Sequence, residues 1–121
     1  MMISLFKIRS KKLLRGAKDQ SCVNCGRNDG TTVAAHYTGM RSQLFGKGRG
    51  TKPHDLCVAD LCYKCHNAFD LGTKKPLDTS ISDIGDPYAK KIDLSEQFLF
   101  CILKTLIRRV EQGIISISDL K

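Results

Sequence analysis

No apolar run in the 121 residues approaches the roughly 18 to 20 positions that a membrane-spanning helix needs. The longest, Phe98 to Leu103, has six residues. A helical membrane protein is therefore not expected. A secretory leader is not expected either: the patch Ile3 to Phe6 is too short for its apolar stretch, and positive charges follow that patch instead of preceding it. The expected location is the cytoplasm. There is no internal repeat and no low-complexity segment. With 41% hydrophobic and 26% charged residues, the composition excludes a mainly disordered or collagen-like chain, and the length suits one domain.

Acidic residues are scarce where basic ones gather. Residues 1–75 hold 14 Lys and Arg against 5 Asp and Glu, whereas residues 76–121 hold 6 against 7, so the whole net charge of +8 comes from the first part. One cluster comprises Lys7, Arg9, Lys11, Lys12, Arg15 and Lys18; the other, Arg41, Lys47, Arg49 and Lys52, lies in a stretch without any acid. Each can follow a polyanion backbone, with the salt sensitivity that counterion release brings. A solvated basic surface is the competing reading for the first cluster. In the second, Gly46-Lys-Gly-Arg-Gly-Thr-Lys52 lets backbone amides approach an anion, which favours a grip on nucleic-acid phosphates over a merely exposed loop.

Residues 1–20 read as a basic lead-in, with helical character over Lys11 to Lys18 interrupted by Gly16. Cys22-Val-Asn-Cys25-Gly26 is a tight turn with a glycine in the position a metal knuckle commonly requires. β-branched residues within Thr31 to Tyr37 predict a strand that carries His36 near its end. Glycines between 38 and 54 predict a loop, and Asp55 to Leu61 a second, antiparallel strand. Cys62-Tyr-Lys-Cys65-His66 then opens a helix that runs to about Leu71 and stops at Gly72. Residues 72–92 read as a connecting loop. Asp93 with Glu96 fits a capping box for a last helix over about 93–112, whose Leu94, Phe98, Ile102, Leu106 and Val110 form a packing stripe and whose Lys104, Arg108 and Arg109 suit the helix dipole. Residues 21–121 are thus expected to form one α+β domain, with its core in 22–71.

Six cysteines without an export signal, four of them in two Cys-x-x-Cys pairs, point to metal before disulfides. Cys22, Cys25, Cys62 and Cys65 supply the four thiolates that close a tetrahedral structural zinc site, leaving no open position for a substrate. Cys57 and Cys101 are read as core thiols. His66 and Asp70, four residues apart on a helix, project from one face at a spacing suited to a divalent ion such as Mg²⁺, or to an ordinary surface pair.

Taken in order, Cys22-x-x-Cys25, Ala35-His36 and Leu61-Cys62-x-x-Cys65-His66 resemble the HNH endonuclease family in its zinc-stabilised form, built on a ββα-metal motif. Gly48-Arg-Gly50-Thr-Lys52-Pro53 with Asp55-Leu56, followed by Cys62-x-x-Cys65-His66-x-x-x-Asp70, is similar more narrowly to small prophage-encoded nucleases of the YbcO type. The resemblance implies a zinc-braced, treble-clef-like core that hydrolyses DNA, with RNA the alternative substrate, using a divalent ion such as Mg²⁺ and giving a 5′-phosphate and a 3′-hydroxyl. It implies that His36 is the general base, that His66 binds the catalytic ion, and that Asp70 is a second ligand to it. Ala35 stands where many members carry Asp, so the ion would rely on His66, Asp70, substrate oxygens and water. Cys57 stands where the family's middle Asn is usual, and Asp55 is the candidate to bond His36 and hold its tautomer. His54 is a rival base. Two further classes stay open: a non-catalytic zinc module that binds nucleic acid, and a zinc-stabilised adaptor that binds protein.

Overall fold

The structure is a computed structural model that describes residues 8–39, 44, 52–71 and 87–117, with the backbone alone at 71 and 87–91. It is a small α+β arrangement. Helix α1 spans Lys11–Arg15, strands β1 and β2 span Val33–His36 and Val58–Leu61, and helices α2 and α3 span Tyr63–Leu71 and Pro87–Glu111. The strands pair antiparallel, with His36 opposite Val58 and Val33 opposite Leu61. Alternation along β1 buries Ala35 in the core at 1% exposure and turns His36 to the opposite face.

β2 is buried at all four positions. Off the sheet, the Asp60 carbonyl accepts the Val23 N–H at 2.9 Å and the Asp60 N–H donates to Thr105 Oγ1 at 3.0 Å. Both main-chain groups of Asp60, on the edge of β2 away from β1, are thereby satisfied, one by the first cysteine turn and the other by α3, as burial requires.

Phe98, 1% exposed, knits the layers together: its ring meets Tyr37 edge-on at 5.4 Å and Phe69 of α2 at 4.7 Å. The Tyr37 hydroxyl, buried with its ring, shares a hydrogen bond with Ser95 Oγ. Removing a ring so enclosed costs about 3 to 5 kcal/mol in comparable cores.

α3 begins at Pro87, six residues before the expected Asp93, so the Asp93–Glu96 pair lies inside the helix and does not mark its start. The reason is chemical. Proline at the first helical position lacks an N–H that has no intrahelical partner anyway, so Pro87 opens the helix inside the stretch 72–92 expected to be a loop. The far end stops as expected, at Gly113 with φ of 76° and the Ile114 N–H closing on the Arg109 carbonyl at 2.9 Å.

From Ile8 onward the basic lead-in is docked against the rest of the fold. Ser10 caps α1 by accepting the Leu13 N–H at 3.2 Å, and Leu13 is buried. A Cβ at Gly16 would collide with the Arg109 guanidinium, so the glycine that ends α1 is also what lets α3 approach. Among the described residues, no helix is long and apolar enough to cross a membrane.

Candidate functional site

The sulfurs of Cys22, Cys25, Cys62 and Cys65 all lie within 4.8 Å of one another, with the Cys25–Cys62 pair at 3.6 Å. A tetrahedron with metal–sulfur bonds of about 2.3 Å has sulfurs roughly 3.8 Å apart, so the four can hold one metal such as zinc. No disulfide joins any of the six cysteines. Two local structures build this cluster. In the first turn, Gly26 takes φ of 81° and returns its N–H to the Cys22 carbonyl at 2.9 Å, while the Asn24 N–H points at Cys22 Sγ at 3.4 Å. In the second, Cys62 precedes α2 and its carbonyl accepts the His66 N–H at 2.9 Å, which sets Cys62 and Cys65 at the positive end of that helix.

The thiols share protons unequally. A hydrogen bond from Cys65 lowers the Cys22 thiol to about 4, and the same bond, aided by burial, pushes Cys65 up. Asn24 completes the surround: its Nδ2 donates to Cys65 Sγ at 3.3 Å, and its Oδ1 accepts from Gln97 Nε2 at 2.9 Å and from the Cys101 thiol at 3.6 Å. Sequence reading missed Asn24, although it sits inside the first Cys-x-x-Cys pair.

Cys101 is fully buried, in accord with a core thiol. Cys57 is half-buried, lies outside the sulfur cluster, and has its thiol pushed up by burial.

At the far end of β1, His36 Nε2 lies 2.8 Å from Asp55 Oδ1. A carboxylate there accepts, so Nε2 carries a proton, which in the neutral imidazole leaves the lone pair on Nδ1; among the described residues Nδ1 has no partner. Burial alone would raise the Asp55 carboxyl. The bonds from His36 and from the Ser10 N–H outweigh that and hold it below its ordinary range. Ser10 N donates to Oδ2 at 2.7 Å, and Arg9 Nη1 lies 3.3 Å from Oδ1. Asp55 thus makes the bond to His36 for which it was the candidate.

His54, the rival base, is 6% exposed and its Nδ1 accepts the Ile8 N–H at 2.7 Å. That is a structural histidine, tied down at one nitrogen and enclosed. Ala35 faces the core, on the opposite side of the strand from His36.

On α2, His66 Nε2 and Asp70 Oδ2 are 3.1 Å apart with both side chains partly exposed, at 35% and 41%. Neighbouring ligands on an octahedral ion with bonds of about 2.1 Å stand roughly 3 Å apart, so this pair suits a cation as well as it suits a direct hydrogen bond.

Arg41, Lys47 and Arg49 lie outside the described residues. Lys52 is exposed, and its carbonyl accepts Arg9 Nη2 at 2.7 Å. This bond brings the N-terminal basic cluster against the end of the second one, a juxtaposition that 42 intervening residues hide in the sequence. Exposed Lys11, Lys12 and Arg15 follow directly on α1.

Comparison with protein-family models, with curated proteins and with solved structures finds no match.

Proposed function

We propose that the chain is a zinc-braced ββα-metal endonuclease of the HNH type, hydrolysing phosphodiester bonds in DNA with a divalent ion. The observation that carries this reading is the His36–Asp55 pair: an imidazole at the end of a hairpin strand, fixed by a buried carboxylate with its second nitrogen unpartnered among the described residues. On this reading Cys22, Cys25, Cys62 and Cys65 bind a structural zinc that ties the first turn to the start of α2. Four sulfurs complete its tetrahedron, which gives the zinc no part in the reaction.

His36 Nδ1 takes the proton from the attacking water, and Asp55 stabilises the imidazolium that results. His66 and Asp70 would hold the catalytic ion, and Mg²⁺ or a similar ion would supply positive charge there to offset the negative charge that cleavage of a phosphodiester develops. Arg41, Lys47, Arg49 and Lys52 grip the nucleic-acid backbone, and the basic residues of α1 extend that surface.

Purified protein incubated with supercoiled plasmid and Mg²⁺ or Mn²⁺ is expected to nick it. Chelator, His36→Ala and His66→Ala should each abolish nicking. Full activity in either variant removes the role assigned to that residue. Binding without cleavage across several metals would instead make the chain a non-catalytic nucleic-acid module, and no affinity for DNA even at low salt would leave a protein-binding adaptor.

A further inference from the structure

The segment before α1 lies alongside residues 52–55 and is bonded to them at every step. Ile8 N–H donates to His54 Nδ1 at 2.7 Å and the Ile8 carbonyl accepts the Asp55 N–H at 2.8 Å. Arg9, although its side chain is 45% exposed, spends its guanidinium inward: Nη1 donates to the Pro53 carbonyl at 2.5 Å and approaches Asp55 Oδ1 at 3.3 Å, and Nη2 donates to the Lys52 carbonyl. Ser10 gives its N–H to Asp55 Oδ2 at 2.7 Å. Among the described residues, every bond to the Asp55 carboxylate other than that of His36 comes from this strap.

We infer that the Ile8–Ser10 strap belongs to the candidate active site, with Arg9 a positioning residue that holds Asp55 and, through Asp55, the orientation and tautomer of His36. A carboxylate with a single partner can swing towards water. One pinned at both oxygens, with the carbonyls on its own approach tied by the same guanidinium, has one place to stand. Lysine cannot substitute, because one ammonium does not span two carbonyls and a carboxylate in the geometry of the fork. An exposed arginine beside a basic surface invites a different role, direct contact with phosphate. Its inward bonds to Lys52, Pro53 and Asp55 favour positioning.

The inference rests on the nuclease reading for its consequence, but not for its physical content, so the test has two readouts. Arg9→Ala and Arg9→Lys are compared with wild type by ¹⁵N NMR of the His36 imidazole, and by plasmid nicking alongside DNA affinity as a function of salt. The wild-type imidazole is expected to be the Nε2–H tautomer, and both variants should show a mixture with the rest of the amide spectrum preserved. Nicking should fall roughly 10- to 100-fold, with DNA affinity and its salt slope little changed. Should Arg9→Ala fail to fold, Arg9→Lys carries the same comparison. A tautomer shift in a protein that does not nick in any form would sink the nuclease reading and leave the positioning role standing. An unchanged tautomer overturns the inference, whether nicking is unaffected or DNA affinity and salt slope drop together as expected of a phosphate contact.

Discussion

Asp60 of β2 and Arg109 of α3 meet in the interior with neither side chain more than 1% exposed. Arg109 Nη1 donates to Asp60 Oδ2 at 2.9 Å, Nη2 to Oδ1, and Nε to the Leu13 carbonyl at 2.8 Å, while Arg108 adds a bond to Oδ2 at 2.9 Å. A buried charge pair contributes little net stability over a well-packed apolar one, but removing one member leaves the other stranded. Arg109→Met should therefore cost about 3 to 5 kcal/mol in urea unfolding, and the double variant Asp60→Leu/Arg109→Met should recover part of that loss. A single-variant loss under about 1 kcal/mol would mean that water reaches the pair.

The same guanidinium decides the sign of a substitution that backbone reasoning alone would misjudge. Gly16 sits at φ of −61°, ordinary helical backbone, where alanine commonly adds about 0.4 to 1 kcal/mol by restricting the unfolded chain. Here a Cβ would meet the Arg109 side chain, which its buried partners hold fast. Gly16→Ala should destabilise by about 1 to 3 kcal/mol. In an Arg109→Met background that penalty should largely vanish. Equal losses in both backgrounds would place the strain elsewhere.

These contacts mark where the sequence stops being readable. The cysteine spacing foretold the sulfur cluster, because Cys-x-x-Cys turns are local structures whose geometry a few residues dictate. β-branched residues foretold the hairpin, and four-residue spacing of Leu94, Phe98 and Ile102 the buried stripe of α3. The polar stripe beside it was not legible. Lys104 and Arg108 read as dipole partners and Gln97 carried no assignment, yet Gln97 bonds Asn24, Lys104 bonds the Val23 carbonyl at 2.9 Å, and Arg108 bonds the Ser21 carbonyl at 2.8 Å. A charged residue on an amphipathic helix has the same signature whether it meets water or a backbone carbonyl some 80 positions earlier. The Arg9–Lys52 bond was hidden for the same reason. His36 was legible as a candidate from its place in a motif. Asp55 was legible as its candidate partner, but that Arg9 and Ser10, some 45 positions earlier, would bond the same carboxylate is something no local pattern encodes.

Asp55 should leave a trace in the acid limb of stability. Its folded-state carboxyl lies below its usual value of 3.8, so its contribution is complete above that value and is lost as pH falls through the lower, folded one. Asp55→Asn should cost about 1 to 2 kcal/mol at pH 7, where charge-assisted bonds to His36 and Ser10 are surrendered. The gap between variant and wild type should narrow below about pH 4, as the wild-type carboxylate is protonated. Urea titrations at pH 7, 5 and 3.5 measure it directly. A gap that stays constant over that range would show that the carboxylate's charge is not what stabilises the loop.

Metal removal tests the sulfur cluster and the residue that supports it. Four thiolates confined within 4.8 Å repel one another unless a cation or shared protons intervene, and the first turn, β2 and α2 all converge on them. Chelator should therefore melt the fold cooperatively, and metal analysis of dialysed protein should return one zinc per chain. Asn24→Ala separates ligation from its support. It leaves all four sulfurs but removes the donor to Cys65 Sγ and the link to Gln97 on α3. Loss of such a partner commonly weakens metal binding by about 10- to 100-fold, so the variant should bind zinc at the same stoichiometry and release it to a competing chelator correspondingly sooner. Wild-type release kinetics in Asn24→Ala would assign the Asn24 amide to packing against α3 alone. A chain that dialyses free of metal with its fold intact would remove the tetracysteine site altogether.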